Sequence, residues 1–189
     1  MPSIDIHLAI ARQYLKKHID IRNTKDFIKG NIAPDLVEDK KVSHYTGEGN
    51  NVDNLVDALR NKVIIDKYLS CNKVETDYEK GVFLHLVVDY LFFNNFFDKE
   101  YLLKMSDGEF KKDLYYSYGI TNEYLKTKYD TSYGELKVII ENNIANGRKK
   151  AHYNGEKRIN IIPFEKLDKY IEMISDKDIE FYINYKDFT

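Results

Sequence analysis

His85 and Asp89 stand four residues apart in Gly81-Val-Phe-Leu-His85-Leu-Val-Val-Asp89-Tyr-Leu-Phe-Phe, the most apolar stretch of the chain. On a helix, positions i and i+4 share one face, one turn apart. A buried carboxylate is costly to desolvate and needs a cation or strong donors. A metal ion meets that need economically, because His nitrogen and Asp oxygen are both zinc ligands. The plainer reading is a neutral His hydrogen-bonded to Asp inside a helix core.

Three further residues extend the set. His7 lies on the apolar stripe of the first expected helix, Asp35 follows Pro34 in a stiff segment, and His44 comes nine residues later in Val42-Ser43-His44-Tyr45. An Asp and a His from loops can converge with a helical His-x-x-x-Asp into four N/O ligands. Two carboxylates would balance a divalent zinc. If Asp89 bridges, His7 could hold a second metal. Each residue also has a plain structural reading: a hydrogen-bonded core His7, a turn or cap for Asp35, a solvated His44.

The elements that must position these residues read as helices. Three prolines and nine glycines leave long segments without breakers, and apolar residues recur with helical period, so the expected class is all-α. Ser3 is the expected N-cap of a helix running to about Lys17. A short helical turn around 26–29 is expected to end at Gly30, followed by a loop through Pro34 and Asp35, because Pro restricts its own φ and the residue before it. Lys40 to Asn51 reads as loop. Helices are expected over about 52–69, 75–97, 108–118, 121–128, 133–146, 163–174 and 177–185, with Pro163 in a first turn and a polar loop over 147–160. With no repeat or long linker, residues 1–189 read as a single helical domain.

Composition excludes several classes. The chain has 189 residues, 43% hydrophobic and 32% charged, as expected of a globular domain with a sizeable core. A net charge of -2, from 29 basic and 31 acidic residues, gives no basic face for nucleic acid. No apolar run reaches the length of a membrane span, and the N-terminus has no signal-peptide pattern. A lone cysteine, Cys71, read as half-buried, excludes an intrachain disulfide and fits a reducing cytoplasm. The 16 Tyr and 10 Phe read as core rather than as a base-stacking surface. His18, at a helix C-terminus, reads as a dipole partner. Arg148, Lys149, Lys150, His152, Lys157 and Arg158 form a basic run that reads as a solvated loop.

Together the motifs resemble the zinc-dependent phospholipase C / P1-type nuclease superfamily. The resemblance rests on an early helical His7, the Gly30-Asn-Ile-Ala-Pro34-Asp35 segment, Ser43-His44, and Gly81-Val-Phe-Leu-His85-Leu-Val-Val-Asp89, in that order over residues 7–97. It implies Asp35, His44, His85 and Asp89 around one zinc, His7 and Asp89 on another, and Asp35 as the general base that orients the attacking water. It implies a phosphoester hydrolase acting on a small-molecule or lipid substrate. Two positions depart from it. Asn95 stands where phospholipase members carry a further His, and Glu109 lies in the register of a metal-binding Glu without that His. One or two zinc ions are therefore expected, or a scaffold that has lost full activity.

Two rivals stand beside this reading. A helical phosphohydrolase with an adjacent His-Asp pair is disfavoured, because no His here is followed by Asp. A catalytically inactive helical binding or structural module would bind no metal and simply pair His85 with Asp89. The sequence leaves substrate and oligomeric state open.

Overall fold

The computed structural model describes residues 1–46, 54–60, 63–132, 134 and 158–185. Among them the chain is all-α, without a strand. The helices are α1 (Ile4–Lys17), α2 (Thr24–Leu36), α3 (Lys40–Ser43), α4 (Leu55–Arg60), α5 (Ile65–Cys71), α6 (Asp77–Leu91), a π-helical turn (Phe92–Phe96), α7 (Lys99–Leu103), α8 (Asp107–Tyr129), α9 (Phe164–Ser175) and α10 (Ile179–Ile183).

Two helices form the centre. α6 is buried almost all round, with Phe83, Leu84, Leu86, Val87 and Val88 fully enclosed, as expected of a helix apolar on every face. α1 buries Ile6, Leu8, Ala9, Ile10, Ala11 and Tyr14. α2 packs along α6, while α8 and α9 pack against α1. Much of the aromatic content is core: Phe92, Phe93, Phe96, Phe97 and Phe110 join Phe27 and Phe83 in one cluster, while Tyr78, Tyr115, Phe164 and Phe181 are exposed.

Local chemistry starts the central helices. Ser3 caps α1 by accepting from the Ile6 N–H. α6 opens with a capping box: Thr76 Oγ1 accepts from Glu79 N–H, and Glu79 accepts from Thr76 N–H at 2.8 Å, satisfying two otherwise unpaired donors. Asp77 also accepts from the backbone N–H groups of Arg22 and Asn23 at 3.0 and 2.6 Å. This ties the α1–α2 turn to the start of α6.

Several expectations are corrected. α2 does not stop at Gly30 but continues through it to Leu36, with Pro34 inside. Pro34 has no N–H for the Gly30 carbonyl, so one ladder bond is lost there, and the helix ends two residues later. Close backbone contact requires glycine at position 30 within the helix: a Cβ would lie 2.0 Å from the Tyr78 carbonyl oxygen. The expected loop after Lys40 begins as the short α3, started by the Asp39 side chain, which accepts from Lys41 and Val42 N–H. The long helix expected over 52–69 is two helices, separated by non-helical Val63 and Ile64. The helix expected to reach 97 turns π-helical after Leu91. The two helices expected over 108–128 are one, α8, because Gly119 sits on its exposed face with open space around it. Helix α7 was not anticipated. Pro163 is the N-cap of α9 rather than a member of its first turn. Cys71 is exposed rather than half-buried, as the last residue of α5. The helix expected over 133–146 and most of the basic run, His152 included, lie outside the described residues.

Candidate metal centre

The structure brings His7, Asp35, His44, His85 and Asp89 together at the centre of the fold, all buried. His7 comes from α1, Asp35 from the last turn of α2, His44 from the C-cap of α3, and His85 and Asp89 from α6. Four stretches of chain thus supply one cluster.

Glycine makes the approach of α2 to α6 possible. At Gly81 a Cβ would stand 2.1 Å from the Phe27 carbonyl oxygen and 2.8 Å from the Asn31 nitrogen. With Gly30 against Tyr78, each helix presents a glycine to the other's backbone. One turn beyond Gly81, the Asn31 carbonyl reaches His85 Nδ1 at 2.7 Å. A carbonyl oxygen only accepts, so Nδ1 carries the proton and Nε2 carries the lone pair. This is the arrangement by which outer partners fix a metal-binding imidazole. Burial pulls the His85 imidazolium down to about 3, so the ring is neutral.

His44 is held similarly. Its Nδ1 lies 2.8 Å from Ser43 Oγ, and its Nε2 lies 3.1 Å from His85 Nε2. The next residue, Tyr45, has φ +52°, a left-handed conformation that is costly for a bulky side chain. Tyr45 is braced by α5 through an edge contact with Tyr68, and its hydroxyl accepts from Asn72. The bend leaves His44 pointing inward.

Asp89 lies between imidazoles. Its Oδ1 is 3.2 Å from His7 Nε2, and its Oδ2 is 3.3 Å from His44 Nε2 and 3.8 Å from His85 Nε2. The plain His85–Asp89 hydrogen bond is therefore not what the helix makes. None of these close approaches has hydrogen-bond geometry: both Asp89 oxygens and both His7 nitrogens are buried without a hydrogen-bond partner. His7 instead stacks on His85, with ring centres 3.9 Å apart. Buried polar atoms are rarely left so. Two triads have ligand atoms all within 4.8 Å of one another: His7, Asp35 and His85, and His44, His85 and Asp89.

The charge states suit a cation. Burial alone would raise the Asp89 carboxyl, but the close His44 and His7 nitrogens reverse this and hold it well below its ordinary value. Burial likewise opposes ionisation of Asp35. Electrostatic attraction nevertheless prevails, with the Lys40 ammonium 3.2 Å from its Oδ1, and the carboxyl sits below its ordinary value. Ionised carboxylates beside a neutral imidazole are what metal binding requires. The donor set of three imidazoles and two carboxylates fits zinc.

The second half of the chain walls the cluster. Tyr170 of α9 donates to the Val88 carbonyl beside Asp89 at 2.7 Å, and Tyr118 of α8 donates to the Met1 carbonyl at 2.6 Å. Burial, with Asp89 nearby, keeps both phenols protonated. Neither tyrosine carried a motif, and Asn31, an unspecified position of the Gly30–Asp35 segment, contributes through its backbone carbonyl. Lys40 also went unread: its Nζ lies 3.2 Å from Asp35 Oδ1. Asn95 is exposed on the π-helical turn. Glu109 is paired with Arg158 at 2.6 Å and with Lys112 at 2.7 Å, so its charge is met without a metal. His18 donates from Nε2 to the Ser175 carbonyl at 2.9 Å, away from the cluster.

No curated protein and no solved structure matches the chain. The family model described as zinc dependent phospholipase C matches residues 6–189, extending past the N-terminal half that carries the motifs to include α8, α9 and α10. The chain belongs to the zinc-dependent phospholipase C family.

Proposed function

We propose that this protein is a zinc-dependent phosphoester hydrolase whose metal ligands are His7, Asp35, His44, His85 and Asp89. The observation that carries the reading is Asp89. Its two oxygens are buried between imidazole nitrogens at 3.2 and 3.3 Å without a hydrogen bond. Leaving such a carboxylate uncompensated is costly, and a shared cation removes the cost. Asp35, His44, His85 and Asp89 would hold one ion, and His7 with Asp89 a second. Zinc, when bound, lowers the pKa of coordinated water toward neutrality and polarises a phosphoryl oxygen.

The protein's own groups do the rest. Asp35, ionised, is the proposed general base that orients the attacking water and takes its proton. The Asn31 carbonyl and Ser43 hydroxyl fix the two imidazoles. The substrate is a phosphoester, small-molecule or lipid. No described helix is long and apolar enough to cross a membrane, and we place the protein in the cytoplasm on the strength of its lone, unbridged Cys71. A second reading keeps the fold without turnover; Asn95 and the paired Glu109 favour it, since both lie where the resemblance carries a further metal.

The first experiment is metal content by inductively coupled plasma mass spectrometry on untagged protein, with a His85→Ala/Asp89→Ala control, followed by a phosphoester substrate screen. One or two zinc ions per chain, lost in the control, support the metal centre. No zinc after incubation with the metal sinks it. Zinc without turnover on any phosphoester favours the second reading.

A further inference from the structure

We infer that Tyr170 is a positioning residue of this centre: its hydroxyl fixes the peptide between Val88 and Asp89, and through it the direction of the Asp89 carboxylate. The inference rests on the proposed metal-dependent hydrolysis and adds to it a support supplied by the C-terminal half of the chain. Tyr170 comes from α9 and is buried. Its hydroxyl donates to the Val88 carbonyl at 2.7 Å. That carbonyl belongs to the same peptide as the Asp89 N–H. In the α-helical ladder the Asp89 N–H donates to the His85 carbonyl, four residues back. The hydroxyl thus heads a short chain of hydrogen bonds running through the backbone of two cluster residues, and bonds in such a chain strengthen one another.

The place of this contact argues for more than core filling. α6 ends at Leu91, and Phe92–Phe96 form the π-helical turn. A π-turn widens the ladder from four residues to five, and such turns gather at functional sites. Asp89 therefore stands in the last α-helical turn, two residues before the ladder changes. Tyr170 grips both sides of that change. Its ring meets Phe92 and Phe96 edge-on, with centres 5.7 and 5.5 Å apart, and its hydroxyl reaches back to Val88. A phenylalanine would make the same ring contacts. The Val88 carbonyl already accepts from the Phe92 N–H, so the backbone is satisfied without the hydroxyl. What the hydroxyl adds is a fixed direction for the peptide that carries Asp89, whose oxygens lie among three imidazoles with no hydrogen bond to hold them.

The test uses full-length protein stripped of metal and then titrated with zinc, by competition with a chromophoric chelator, or with cobalt(II), whose visible absorption reports coordination geometry. Tyr170→Phe removes the hydroxyl and keeps the ring. Tyr182→Phe is the matched control: its hydroxyl also donates to a buried carbonyl, that of Ile174 at 3.0 Å, but joins α10 to α9. Each substitution should lower the melting temperature of metal-free protein by about 2–4 °C, the scale of one buried hydrogen bond in a chain of this size. Tyr170→Phe alone should weaken zinc binding about tenfold, the lower end of what losing an outer support costs, and should shift the cobalt bands. Unchanged zinc affinity and unchanged cobalt bands in Tyr170→Phe overturn the inference. So does an equal loss of affinity in Tyr182→Phe, which would trace the effect to a general loosening of α9. Wild-type protein that takes up neither ion overturns the metal reading and this inference with it, an outcome visible before any variant is compared.

Discussion

Asn31 and His85 meet at 2.7 Å, backbone carbonyl to ring nitrogen, across a helix contact that only glycine permits. Sequence spacing put His85 and Asp89 on one face of α6. What turns the His85 ring so that Nε2 faces the cluster is a backbone atom of another helix, brought there by the absence of a Cβ at Gly81.

Gly81→Ala is therefore predicted to damage stability and site together. A Cβ at 2.1 Å from the Phe27 carbonyl has rigid backbone to displace. Forced overpacking of this kind costs about 3 kcal/mol, or about 10 °C in melting temperature for a domain of this size. Zinc affinity should fall as well, because separating α2 from α6 lengthens the Asn31–His85 bond. Scanning calorimetry with a zinc titration checks both. A variant as stable as wild type, with unchanged zinc affinity, would show that the helices do not meet as described.

Chelation should lower stability in a way that depends on the cluster. An ion bound only to the native state at a free concentration 100 times its dissociation constant stabilises it by about 2.7 kcal/mol. Stripping wild-type protein should lower the melting temperature by several degrees, and zinc should restore it. The His85→Ala/Asp89→Ala variant should melt at one temperature with or without chelator. An equal response in both proteins would place the metal elsewhere.

The legibility of this molecule in its sequence was uneven for physical reasons. Helical period and the scarcity of breakers sufficed for the all-α class, because those signals are local. The end of α2 expected at Gly30 and the break expected within α8 around Gly119 are both absent. Gly30 is demanded by a neighbouring backbone and Gly119 faces solvent, and neither circumstance is encoded nearby in the chain. The five cluster residues were legible because charged and imidazole groups inside apolar or stiff segments are anomalous. Asn31, Lys40, Tyr118 and Tyr170 were not. A carbonyl acts irrespective of side chain, and a lysine near a polar loop looks like any solvated lysine.

Asp35→Asn separates chemistry from architecture. The substitution keeps shape and volume, and the buried position still offers Lys40 an amide oxygen. In zinc-free protein the melting temperature should shift little. Turnover on any phosphoester identified by screening should fall by at least about 100-fold, the lower end of what a positioned general base contributes. Near-normal kcat with full zinc content would remove Asp35 from the role of base.

Away from the cluster, Asp168 should give the fold a dependence on acid. It accepts from Tyr124 and Tyr129 hydroxyls at 2.6 and 2.7 Å and from Lys128 at 2.6 Å, fastening α9 to α8. Partial burial would raise its carboxyl, but these donors outweigh it and hold it below its ordinary value. A depressed carboxyl contributes stability that is present above the unfolded value, about 4, and is lost as pH falls through the lower folded value. With the side chain 25% exposed, solvent screens the charges and the contribution at neutral pH is about 1 kcal/mol. Asp168→Asn should therefore melt about 2–4 °C below wild type at pH 7. The gap should narrow as both proteins are taken below pH 4, because wild type alone loses this contribution on protonation. A gap that stays constant down to pH 2 would show that the Asp168 charge does not hold α9 in place.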